Sequence, residues 1–269
     1  MSALAVPVAF IRRDFLVNRS YRIGFLLGIG GTIANAFVFF FLSQAIGVVG
    51  GPVAETYGTD YFGFAIIGIA FTQLVAVGVG TMGGAVRDGQ VTGTLELMLV
   101  GPTRPVVVLL SSGLFAHLNA FVSIALYLVI GVALGLDLGS ADLPATLLGV
   151  ALLIVACNAI GLLGASVVLL IKQGNPVNWL VTGASFILGG VLYPTAVLPP
   201  VLETLASLLP LTPALQIVRR SLLGGAGITD LLPEFGMLIV LTAIYVPIGL
   251  GAIAYALRRA RIDGSLAEF

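Results

Sequence analysis

Charge is scarce in this sequence. Only 9% of its 269 residues are Asp, Glu, Lys or Arg, against about 25% in a soluble domain, too few to cover a surface that faces water. Lysine occurs once, as Lys172, and is followed by Gln173. A Walker A loop needs Lys followed by Ser or Thr, so the chain lacks one, and if ATP drives the protein another subunit binds it. Cysteine also occurs once, as Cys157 inside an apolar run, which excludes an internal disulfide and a cysteine metal cluster. The single histidine, His117, has no carboxylate in its own run. Paired acids, Ser/His/Asp sets and metal-ligand clusters are missing from the apolar runs, which weakens any intramembrane enzyme. Twelve basic residues balance twelve acidic ones, leaving no basic field for nucleic acid.

What is present is long and apolar. Six stretches carry no charged residue: 23–54, 61–86, 105–136, 143–171, 173–202 and 235–257. The shortest has 23 residues, and a membrane-spanning helix needs about 20. Lipid offers no partner to open backbone groups, so the spans are helices. The expected architecture is an all-α membrane protein with six transmembrane helices, forming a single domain over residues 1–269. The arginines orient it. With the N-terminus cytoplasmic, inner segments hold Arg12, Arg13, Arg19, Arg22, Arg87, Arg104, Lys172, Arg258, Arg259 and Arg261, ten of the twelve Lys and Arg residues. The first two outer loops then hold only Glu55, Asp60, Asp137 and Asp142. By the positive-inside rule both termini are expected in the cytoplasm, with 1–22 a cytoplasmic or interfacial segment.

Arg219 and Arg220 are the exceptions. They follow an apolar run of 15 residues, 204–218, too short to cross, and Pro194, Pro199, Pro200, Pro210 and Pro213 crowd this region. Proline breaks straight helices, so 196–232 is expected to be a broken, re-entrant segment on the outer side; a long outer loop is the plainer alternative.

Several pattern matches carry little weight. Arg12-Arg13-Asp14-Phe15-Leu16 is close to a twin-arginine signal, with Ala34-Asn35-Ala36 as a cleavage site, but the apolar stretch runs past Ala36 to Leu42, longer than a signal core. Gly78-Val79-Gly80-Thr81-Met82-Gly83 fits G-x-G-x-x-G at the end of a span, not after a strand as the dinucleotide site requires. Small residues there, and in the Gly24–Gly28, Gly80–Gly84 and Gly131–Gly135 pairs, suit close helix packing. His117 is expected to be neutral and bonded to a backbone carbonyl or polar neighbour. Asn35, Gln44, Gln73, Asn158 and Asn178 either line a path or bond between helices.

The loop joining the second and third spans, roughly 85–105, holds dense mixed charge. Within it, Gly93 through Pro102 reads as a short helix: Thr94 caps it, Glu96 lies in its first turn, and Gly101-Pro102 ends it. Leu95, Met98 and Leu99 share one face. That face either enters a partner's groove or lies on the membrane or the protein's own helices.

These features together resemble the permease subunit of ABC type-2 (type V) exporters, the family of daunorubicin-resistance, nodulation-factor and O-antigen export permeases. Three segments carry the resemblance: Arg13-Asp14 with Ser20-Tyr21-Arg22; Arg87-Asp88 with Gly93-Thr94-Leu95-Glu96 through Gly101-Pro102; and the outer stretch Gly190–Pro194, Leu198-Pro199, Leu209–Pro213 and Arg219 to Gly224. The outer stretch is similar to that family's re-entrant hairpin, with Tyr193, Pro194, Pro199, Pro210, Thr212 and Arg219 as its marker residues. The resemblance implies two copies of this chain in the bilayer over two copies of a separate ATPase that binds ATP and Mg. It implies that Arg87, Asp88, Gly93, Thr94, Leu95, Glu96, Met98, Leu99 and Pro102 contact that ATPase, Arg87 and Glu96 through polar bonds, with Lys172–Asn178 as a second contact. The N-terminal segment departs from the family's amphipathic helix, because Phe10 and Val17 share a side with Asp14. An amphipathic or hydrophobic small molecule or lipid is the expected cargo, and Asn35, Gln73 and Asn178 are the candidate path residues. A glycan is the next choice of cargo. An ATP-independent secondary transporter, resting on His117, is the competing class.

Overall fold

The computed structural model describes residues 5–20, 22–46, 61–95, 103–171 and 174–262, all helix and connecting turns, without a strand among them. The helices are α1 (Ala5–Ser20), α2 (Arg22–Ile46), α3 (Tyr61–Val91), α4 (Pro105–Ser112), α5 (Leu114–Ala133), α6 (Leu143–Ile171), α7 (Pro176–Leu188), α8 (Pro200–Ser207), α9 (Leu211–Gly224) and α10 (Leu232–Ile262). Five are long and apolar enough to cross a membrane: α2, α3, α4 with α5, α6, and α10. A sixth is reached if the bent pair α8–α9 is counted as one span.

The fifth apolar run is where the expected spans change shape. Instead of one crossing helix over 173–202 it forms α7, with 13 residues, about 20 Å at 1.5 Å per residue and short of a hydrocarbon core of about 30 Å. Gly189 and Gly190 end it, and Gly190 takes a φ of +76° that favours glycine. The segment expected to be broken follows as α8 and α9, bent by 82° to each other. Its prolines explain the break without strain. Pro194 and Pro199 precede helical turns, Pro200 opens α8, Pro210 precedes α9 and Pro213 lies in its first turn. At all these places the missing N–H has no helical acceptor to lose.

A second boundary also moves. Residues 85–91, assigned above to a loop, continue α3. No proline interrupts α3 before Gly93, and Arg87 and Asp88 sit exposed on a helix that simply goes on. Gly93, at φ +67°, then closes α3 with a paired turn: its N–H donates to Gln90 and that of Thr94 to Gly89, at 3.3 and 2.9 Å.

α3 and α6 form the centre of the bundle, and 72% and 61% of their spanning windows are buried, against 17% for α2 and 22% for α10. Glycine brings the central helices together. A side chain at Gly161 of α6 would strike the Gly78 carbonyl of α3, and one at Gly249 of α10 would strike the Ala159 carbonyl. The fingerprint-like glycines thus serve packing: Gly78 meets Cys157 and Asn158, Gly80 meets Asn178, and Gly83 meets Asn175. Gly131 packs on Leu136 and Ile66, whereas Gly135 lies beyond α5 in a turn at φ +107°. A methyl group added at Gly24, Gly28 or Gly84 would meet nothing within 4 Å among the described residues.

Candidate functional site

α3 runs from a hairpin at one end of the bundle to the loop at the other, and the candidate functional residues gather at these ends. At the hairpin end the organising residue is Arg219 on α9. It falls in step with Leu211, Leu215 and Leu222, all buried, while Arg220 falls in step with half-buried Gln216 and Leu223. Arg219 therefore points inward and is only 2% exposed.

A buried guanidinium needs its donors filled. Here Nη1 donates to the Gly190 carbonyl at 2.7 Å, and Nη2 to those of Phe64 and Val191, both at 2.8 Å. Nε reaches Phe64 as well, at 3.2 Å, and the cation lies 3.4 Å from the centre of the Phe64 ring. These acceptors are the carbonyls left open where α7 ends and one on the first turn of α3. Gly68, one turn further along α3, makes the room, since a methyl there would lie 2.5 Å from Nη2 and collide with the Val191 carbonyl.

The other marker residues brace the same end. The Tyr193 hydroxyl donates to the Ile187 carbonyl at the end of α7. Thr212 donates to the Ala206 carbonyl at 2.6 Å, joining α9 to α8. Pro194, Pro199 and Pro210 set the helix starts described above. Tyr245 of α10 donates to the Leu208 carbonyl in the turn between α8 and α9, at 2.8 Å. Arg220 points outward and pairs with Glu234.

At the loop end, Arg87, Asp88, Gly93 and Thr94 are exposed. Thr94 does not stand as an isolated cap; its hydroxyl bonds that of Thr92 at 2.8 Å. Of the places left open for the apolar face, Leu95 takes the protein's own helices. It is 2% exposed and sits on Gly89 in a core with Met82, Val86, Leu109 and Leu257. Seated on Gly89, Leu95 has almost no exposed surface. Glu96, Met98, Leu99, Pro102 and Lys172 lie outside the described residues. Of the second expected contact, Asn175 accepts from the Asn178 N–H at 3.1 Å and caps α7.

The mixed face of α1 also finds a place. Phe10, Arg13, Asp14 and Val17 line a cavity of about 570 Å³ shared with Asp88 and Thr94. A second, mostly apolar groove of about 520 Å³ lies between α1, α2 and α5, lined by Phe15, Leu26, Phe115, Leu118 and Val122, with Arg19, Asn18 and Asn119 supplying its polar groups.

The path candidates separate. Gln73 is half-buried on α3, and Asn178 accepts from Thr182 at 3.1 Å while packing on Gly80. Asn35 is exposed on α2. The His117 ring nitrogen Nδ1 bonds the Gly113 carbonyl at 2.8 Å, the kind of backbone partner expected for it. Of the socket residues, Gly190 opens the outer stretch that carries the resemblance, whereas Phe64 and Gly68, and Asn175 as a cap, were not singled out by sequence. The inward register of Arg219 with Leu215 and Leu222 was the signal available for the socket.

The family model described as "ABC-2 family transporter protein" matches residues 52–250, 199 of 269 positions, and so covers the central spans, the loop and the hairpin. No curated protein matches the chain. The chain belongs to the ABC-2 transporter family and is a multi-pass membrane permease component, of the kind that works with a separate ABC ATPase subunit rather than binding nucleotide itself.

Proposed function

We propose that this permease is the membrane half of an ATP-driven exporter that moves an amphipathic or hydrophobic small molecule, or a lipid, out of the cytoplasm or inner leaflet. Two copies pair in the inner membrane with both termini cytoplasmic, above two ATPase subunits that bind ATP and Mg. The concentration of ten cations on one set of segments supports this sidedness. Glu96 and Arg87 are the polar contacts proposed to the ATPase.

The observation that carries the cargo class is the groove between α1, α2 and α5. Its phenyl and aliphatic walls suit an apolar body, and Arg19, Asn18 and Asn119 suit a polar head. The test is ATP-dependent uptake into inside-out vesicles holding the complex. Fluorescent lipids and amphipathic dyes are expected to accumulate, and Phe115→Asp, which places a charge in the groove, to reduce their uptake about tenfold or more by loss of apolar contact. Uptake of a lipid-linked glycan with no dye or lipid transport would overturn the cargo class.

A further inference from the structure

α3 is one unbroken helix of 31 residues, about 46 Å long, and it is fastened at both ends. At its loop end the Gly93 turn folds back and Leu95 seats on Gly89. At its hairpin end Arg219 reaches over from α9 and holds the Phe64 carbonyl and ring together with the carbonyls of Gly190 and Val191. We propose that Arg219 is a positioning residue, a latch through which movement of α3 at the loop is passed to the hairpin at the opposite end. This deepens, and rests on, the exporter reading above.

Three features make the seat a latch rather than ordinary packing. Its acceptors belong to two parts of the chain, the first turn of α3 and the segment just beyond α7, so a single side chain from α9 joins three. Its geometry is specific, because a planar fork with donors on all its nitrogens meets carbonyls on different sides while lying on a ring; an ammonium group cannot reproduce that arrangement. Its space is reserved by Gly68, where any side chain would displace Nη2 or the Val191 carbonyl. Packed contacts of this kind change between discrete arrangements rather than yielding gradually, so a shift of α3 either carries the 189–194 segment with it or releases it.

A cysteine at Val191 reports the latch directly. Val191 is 1% exposed, its carbonyl is retained on substitution, and the natural thiol, Cys157, is buried. In the full complex with its ATPase, in nanodiscs, Val191→Cys is labelled with a membrane-impermeant maleimide, with and without ATP and vanadate. The rate is expected to depend on nucleotide in the otherwise unaltered protein. Arg219→Gln removes the fork, and Gly68→Ala blocks its seat while leaving the arginine. Each is expected to raise the resting rate about tenfold, as local opening becomes easier, and to abolish the nucleotide dependence while the complex still assembles and hydrolyses ATP. The double variant is expected to behave like either single one, and Arg219→Lys to fall between Arg219→Gln and the unaltered protein.

The proposal is overturned if both single variants leave the resting rate and its nucleotide dependence unchanged, or if their effects multiply in the double variant. Should Arg219→Gln fail to fold, Gly68→Ala decides the matter. If no ATPase accompanies the unaltered chain, the exporter reading fails; the resting rates in Arg219→Gln and Gly68→Ala still judge whether the seat holds the segment.

Discussion

α2 and α3 look alike in sequence. Both are apolar and glycine-rich, yet α3 is buried over 72% of its window and α2 over 17%. On α3 the glycines are contact points, where Gly68 admits Arg219, Gly78 meets α6, and Gly80 and Gly83 admit two asparagines. On α2, Gly24, Gly28, Gly30 and Gly31 meet nothing among the described residues. A glycine stripe therefore signals close approach only where a neighbouring helix is present to use it. Within one chain, α3 is a central strut and α2 an edge.

The largest effect that would break this contrast is expected at Gly161. Gly161→Val drives a branched side chain into the Gly78 carbonyl, a backbone collision expected to cost about 3 kcal/mol or more and to lower the Tm of the purified protein sharply. A near-unchanged Tm would show that α3 and α6 can separate freely. Next comes Leu95→Ala at the loop end, expected to cost about 2–3 kcal/mol by emptying a fully packed site. Hydrogen exchange over residues 86–95 measures it, and an unaltered exchange pattern would mean the loop is not seated on α3.

Smaller effects sharpen the contrast from the other side. Arg220→Gln breaks the pair with Glu234, in which the arginine is more than one third exposed, and is expected to cost under about 1 kcal/mol. Its neighbour Arg219 has the same chemistry but a buried seat, so thermal scans of the two variants should differ clearly. Gly28→Val on α2 is expected to change the stability of a single chain by no more than about 0.5 kcal/mol. If it instead weakens association between copies, seen as a shift in native mass, the edge helix has its neighbour in another chain.

Much of the architecture can be read from where charge is missing. Gaps between Arg22 and Glu55, Asp60 and Arg87, or Arg104 and Asp137 mark spans because few charges are tolerated in lipid. Prolines 194 to 213 mark the broken hairpin because ring geometry is local. Boundaries set by tertiary contact are harder. Nothing local says that α3 continues past Arg87, since a charged residue on the outer face does not end a helix. The fifth run has the length of a span, and its early end at Gly189-Gly190, with Gly190 at φ +76°, is a local signal that a count of uncharged residues passes over. Helical spacing puts Leu95 on an apolar face without saying what covers it, and Gly89 offers it a seat. The same limit applies to Arg219 and Arg220, which are adjacent in sequence and opposite in environment. Their register against Leu215 and Gln216 distinguishes inward from outward, but which carbonyls receive the guanidinium depends on Gly68 and Gly190, far away in sequence.

The most direct test of the permease assignment is the mass of the intact complex, extracted gently from its native membrane and measured together with its ATPase activity. Two copies of this chain with two copies of a nucleotide-hydrolysing subunit are predicted. A lone chain or simple dimer, with no nucleotide-binding companion under conditions that preserve other membrane complexes, would contradict the account.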